Sequence, residues 1–269
     1  MKRARAPIAV LTADVVGSSR YSSTDRRKLD EVIRKAFAEV EHRFPDAIHT
    51  RLAFRITAGD EFQCVISDTP RVLDILTYFR AVVAASGLRP TVRLRASVGI
   101  GDLTTPRRQN PYEEDGPAFV YARNGLEEIT KTRSPLRATK LMTGVPEADA
   151  AADAVLCLTD FIQQSWTVAQ WEAIRWSLLG LTREAIASKL KVAHQNVTKR
   201  LLAAGWPHFE VAAAFLHELS AVPVTTRSGQ GSGSTTIPAA RSSRASWDSE
   251  RSDASAIRRS SRSRSGIVG

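Results

Sequence analysis

Only two cysteines stand in this chain of 269 residues, Cys64 and Cys157, and neither has a neighbour at metal-ligand spacing. Both lie in apolar strings, FQCVI and VLCL, where buried thiols are common, so neither a disulfide nor a zinc site is expected. Histidine is scarce as well. The five present are scattered, and no G-x-S-x-G elbow or P-loop occurs, so a nucleophilic triad and a Walker-type phosphate cradle both lack their residues. No apolar run approaches the ~20 residues needed to cross a membrane. The opening segment, MKRARAPIAVLTADVV, is basic but meets Asp14 too early for a secretory core. The expectation is a cytoplasmic protein with no membrane partner, and no internal repeat is evident.

Positive charge, by contrast, is abundant and unevenly placed. The formal net charge is +10, and residues 222 to 269 hold eight arginines against Asp248, Glu250 and Asp253, which is about half of it. That segment is mainly Ser, Arg, Ala and Gly and cannot fold alone. It is either a disordered tail that holds phosphates in a salt-sensitive way or a solvated extension. The remaining length, 43% hydrophobic over the whole chain, suits one medium domain and one smaller.

Residues 166 to 206 carry the most specific pattern. Thr167 and Gln170 have the form of a capping box, and Trp171, Ile174 and Leu178 recur at helical period before Gly180 stops the helix. Thr182 can cap a short second helix with Ile186, Ala187 and Leu190 as its stripe, and Lys191, Val192 and Ala193 make a tight turn. A third helix starts near His194, turns Val197, Leu201 and Ala204 inward and ends at Gly205. Its outer face is expected to carry His194, Gln195, Asn196, Thr198, Lys199 and Arg200. Gln and Asn match adenine edges and Lys, Arg and Thr match phosphates, so this helix-turn-helix pattern makes DNA the leading partner. The plainer alternative is a helical hairpin with a solvated face. Many such turns place Gly where this chain has Lys191, and a left-handed lysine there would cost about 1 kcal/mol.

The first 145 residues alternate differently. Ile8 to Val16 is a strand, Thr24 to Phe44 an amphipathic helix with Leu29, Ile33, Phe37 and Val40 on one side, and Arg51 to Ser67 two strands around Thr57-Ala58-Gly59-Asp60. A helix near Pro70 to Ala85, a strand at Val92 to Ile100 and a helix near Pro117 to Ile129 follow. The order βαββαβ predicts an α+β, ferredoxin-like sheet. Such a sheet sets Asp14 beside Asp60, and two converging carboxylates favour Mg²⁺ completed by nucleotide phosphates. Taken singly, Asp14 as a turn cap and Asp60 as a hairpin residue are the structural alternatives. The loop GDLTTPRRQNPYEEDG at 101 to 116 reads as a surface loop first and a lid second, and Pro146 to Leu158 as a helical connector. The expected organisation is thus 1 to 145 palm-like, 146 to 221 connector and helix-turn-helix, and 222 to 269 tail.

Together these segments resemble the nucleotide-cyclase and diguanylate-cyclase palm. Asp14-Val15-Val16-Gly17-Ser18 is similar to the first metal loop, Ala58-Gly59-Asp60-Glu61-Phe62 to the second acidic hairpin, and RASVGIG from Arg95 to Gly101 to the strand that follows in class III cyclases. With Gly116-Pro117-Ala118-Phe119, Ala122-Arg123 and the C-terminal helix-turn-helix, the chain looks most like the SatD family of bacterial proteins over about residues 6 to 215. The resemblance implies Asp14 and Asp60 as metal residues and Gly17, Ser18, Gly59, Glu61 and Arg123 as nucleotide-binding. Two departures stand out: Phe119 replaces the Asn that cyclases commonly place four residues before their Arg, and Ala58 replaces the first Gly of the diguanylate-cyclase hairpin.

Two classes of function follow. The first is a transcription-regulatory DNA-binding protein whose palm-like part senses a nucleotide, a purine nucleotide foremost, or pairs two copies as a homodimer. The second is a Mg²⁺-dependent, cyclase-like nucleotide-processing enzyme. The Gln195-Asn196 face and the two departures favour the first.

Overall fold

The structure, a computed structural model, describes residues 6–49, 54–58, 60–88, 91–103, 116–132, 134 and 137–221. Strand β1 (Ile8–Val15) is apolar almost throughout because both its sides are covered. Ala9, Leu11, Ala13 and Val15 face the main core, whereas Ile8 and Val10 pack with Val65, Ala118, Phe119 and Ala122 on the opposite face. Helix α1 (Ser23–Arg43) starts at Ser22, whose hydroxyl accepts from the Asp25 N–H, and buries Leu29, Ile33, Phe37 and Val40 as its spacing predicts. Strands β2 (Arg55–Ala58) and β3 (Glu61–Ile66) form the expected hairpin, with an irregular register between Ile56 and Ala58.

Helix α2 (Val72–Ala84) is buried nearly all round, β4 (Leu94–Gly101) pairs antiparallel with β1, and α3 (Pro117–Thr132) crosses the sheet. Close approach of α3 requires glycine in β4: a Cβ on Gly99 would collide with the Ala118 carbonyl and the Ala122 N–H. The first four strands stand in the order β2-β3-β1-β4, antiparallel throughout, as a split βαβ gives. A fifth, β5 (Thr139–Met142), extends the sheet parallel to β4 and is an addition to the expected four. Its four residues, with Leu141 fully buried, are too few to show a period in sequence.

Helix α4 (Pro146–Gln164) is longer than the expected connector and packs Ala152 and Leu156 into the sheet core. Three short helices follow, α5 (Val168–Ser177), α6 (Arg183–Leu190) and α7 (His194–Ala203), and then α8 (Trp206–Ala221). Thr167 and Gln170 form a complete capping box, and Thr182 caps α6 by accepting from the Ala185 N–H. Lys191 ends α6 in the left-handed region at φ 54°, and Gly205 turns the chain into α8 at φ 66°. A second cluster joins Trp166, Trp171, Ile174, Ile186, Val197, Leu201, Trp206 and Phe209, and it includes Ala81 and Ala84 of α2. All described residues fall within one compact unit.

Candidate functional site

Asp14 has the same strand parity as Ile8, Val10 and Thr12, so its carboxylate lies on the face that α3 crosses. Directly opposite on β4 stands Arg95. Its guanidinium donates from Nε to Oδ1 at 2.9 Å and from Nη2 to Oδ2 at 2.6 Å, a bidentate pair whose members are only 24% and 17% exposed. Asp60, in the β2–β3 turn, accepts from the Val15 N–H through Oδ2 at 3.3 Å. Both carboxylates therefore reach the end of β1, as the sequence suggests, but a guanidinium already balances Asp14.

That arrangement does not fit a magnesium ion. Each oxygen of Asp14 accepts from Arg95, whose positive charge a cation would have to displace, and Oδ2 of Asp60 accepts from a main-chain N–H. Among the described residues, no group of three or more His, Cys, Asp and Glu side chains is placed to hold a metal.

Beside this pair a polar row crosses the sheet. Arg55 stands opposite Gln63, Gln63 opposite Thr12, Thr12 opposite Ser97 and Ser97 opposite Lys140. Arg55 donates to Gln63 Oε1 at 2.9 Å, and Gln63 donates in turn to Thr12 Oγ1 at 3.1 Å. The buried Ser97 hydroxyl has no hydrogen-bond partner among the described residues. The signal for this row was present in the sequence as Thr12, Gln63 and Ser97 inside otherwise apolar strands, a polar position where the period calls for a buried one.

The residues implied by the cyclase resemblance are placed as follows. Gly17 takes the left-handed conformation at φ 71° and opens a short 3-10 turn at Ser18, which is half-buried. Glu61 begins β3, half-buried, and Gly59 lies outside the described residues. Arg123 is exposed on α3, while Phe119 is a core residue packed over Ile8 and Val10. Residues 104–115 of the expected loop and 222–269 of the expected tail also lie outside the described residues.

On α7, His194, Gln195, Asn196 and Lys199 are exposed. His194 Nε2 lies 3.1 Å from Glu184 Oε1 at the start of α6. Thr198 and Arg200 depart from the expected outer face. The Thr198 hydroxyl is buried without a hydrogen-bond partner among the described residues, and Arg200 lies back on α5, donating to the Ala169 carbonyl at 3.4 Å and standing 3.7 Å from Glu172. The cause is the 3.6-residue period: positions one and three after Val197 flank the buried stripe, and α5 supplies acceptors for Arg200.

A buried ionic centre joins the sheet to the helices, and sequence reasoning missed it. Asp160 of α4 accepts from the Ala138 and Thr139 N–H groups at 2.7 Å each and from the Thr139 hydroxyl at 2.6 Å. Arg80 of α2 lies 3.6 Å from it and donates to Gln163, to the Leu94 carbonyl and to the Ala138 carbonyl. Burial pulls the Arg80 pKa down, with Asp160 opposing that shift. Its sequence signal is a lone arginine in TYFRAVVA and a lone aspartate in VLCLTDFI.

The family model described as SatD family matches residues 8–209. No curated protein matches the sequence. Among solved structures, a microbial GGDEF domain described for its interaction with bis-(3,5)-cyclic di-GMP is 7% identical at a TM-score of 0.35, covering 49% of this chain and 76% of that one. A bacterial light-regulated adenylyl cyclase is 12% identical at 0.37, covering 54% and 80%. An EAL/GGDEF domain protein from M. capsulatus is 11% identical at 0.36, covering 52% and 88%. No helix among the described residues is long and apolar enough to cross a membrane.

Proposed function

As this chain belongs to the SatD family, we propose that α5, α6 and α7 act in it as a helix-turn-helix that binds DNA, and that the protein regulates transcription. The sheet half then serves as a nucleotide-sensing or dimerising part. The observation that carries this reading is the exposed pair Gln195 and Asn196 in the first turn of α7, with Lys199 exposed one turn on. The two caps support it by fixing where α5 and α6 begin, and the left-handed Lys191 by ending α6 just before α7. Once a preferred site has been selected from random duplexes, replacing Gln195 and Asn196 with Ala should cost about 1–3 kcal/mol per lost bidentate contact there and leave random DNA nearly unaffected. Equal losses on both duplexes would remove sequence readout from α7.

The second reading is a Mg²⁺-dependent, nucleotide-processing enzyme. It is favoured by Asp60 reaching the end of β1 beside Asp14. A cation there would have to compete with Arg95 for Asp14, whereas Gln195 and Asn196 are already exposed on α7.

A further inference from the structure

A cleft of about 210 Å³ opens where the sheet half meets the helices, away from the Asp14–Arg95 pair and from the outer face of α7. Its floor is the buried Arg80 with Asp160 and Gln163, and Arg93 stands at its rim. Trp166 and Trp171, with centroids 4.5 Å apart and rings nearly perpendicular, make one wall, and Ala84 and Val92 line the apolar remainder. The guanidinium groups of Arg80 and Arg93 and the carboxylate of Asp160 all line the cleft, so its charged lining is mainly cationic. The volume falls below the ~300 Å³ at which pockets for drug-sized ligands begin, enough for a ring and too little for a whole nucleotide.

We propose that this cleft binds a small planar anion, a single-ring aromatic or heteroaromatic carboxylate, with the ring against Trp166 and Trp171 and the carboxylate toward Arg80 and Arg93. Apolar walls with a few convergent polar groups are the usual make-up of a small-molecule site, and an indole face suits a flat ring. The site has a built-in readout. Trp166 Nε1 donates to the Ala204 carbonyl at 2.7 Å, and Ala204 is the C-cap of α7. A ring that shifts the Trp166 indole therefore acts on the end of α7 through one hydrogen bond. Binding at this cleft stands whether or not α7 engages DNA.

The test uses the full chain with nicotinate as probe and nicotinamide as its neutral counterpart, titrated by calorimetry. Nicotinate should bind with a Kd of about 1 mM or tighter, within the per-atom limits for so small a molecule, and nicotinamide about tenfold more weakly. Thr91→Trp places a bulky ring at the exposed mouth and should abolish binding with the melting temperature unchanged. Arg93→Gln should weaken nicotinate while leaving nicotinamide as it was. In the nuclear magnetic resonance spectrum, the Trp166 indole N–H signal, assigned through Trp166→Phe, should move as nicotinate is added. Equal or absent binding of acid and amide, wild-type binding by Thr91→Trp, or a stationary Trp166 signal overturns the proposal.

Discussion

Arg95 is the residue on which the chemistry of the sheet turns. It supplies to Asp14 the positive charge that a bound cation would otherwise supply, and it does so through two hydrogen bonds of fixed geometry. Removing it should create what the wild-type arrangement does not offer, a carboxylate with both oxygens available at the end of β1. Arg95→Ala should therefore melt at a temperature that rises with millimolar Mg²⁺, and the wild-type protein should not. Thermal scans with and without the ion check this, and a wild type stabilised by Mg²⁺ would revive the metal site at Asp14 and Asp60. The buried Arg80 and Asp160 make a second residue-scale prediction. Asp160→Ala strips a guanidinium of its counter-charge and leaves three donors unpaired, the Ala138 N–H and the N–H and hydroxyl of Thr139, which should cost about 3–5 kcal/mol in denaturant unfolding. A loss under about 1 kcal/mol would mean water takes the place of Asp160.

At the scale of elements, the turn between α6 and α7 is the most informative. Lys191 is the single non-glycine residue among those described with a positive φ, and a β-carbon in that conformation is disfavoured by about 1–2 kcal/mol. Lys191→Gly should relieve that strain at some cost in chain entropy, for a net gain of about 0.5–1 kcal/mol measured by urea unfolding. The helices were legible because their signals are local: Thr167, Gln170 and Thr182 announce their caps, and Trp171, Ile174, Val197 and Leu201 keep the period. The β1-to-β4 order was legible for the same reason. Strand β5 was not, because its place is fixed from outside itself, by Asp160 holding the two amides at its start. The outward aim of Arg200 was misjudged from sequence because partners on α5 decide it, and that of Thr198 because it flanks the buried Val197. The carboxylate pair was half legible: topology brings Asp60 to β1, but only the β1–β4 register shows Arg95 facing Asp14.

For the whole molecule, charge and cohesion matter most. About half of the net charge lies in residues 222 to 269, and the proposed DNA module precedes them. Deleting that segment should flatten the salt dependence of DNA binding and leave the melting transition in place, because counterion release scales with the phosphates neutralised. An unchanged salt slope in binding titrations would assign the electrostatic work to the folded part alone.

Helix α2 has one further consequence. It lends Val72, Ile75, Leu76 and Phe79 to the sheet core and Ala81 and Ala84 to the helical cluster. A rod shared by two bodies leaves no joint between them. The described residues between 6 and 221 are thus cast like a crank, arm and shaft sharing the metal of α2, and not pinned as a hinged pair.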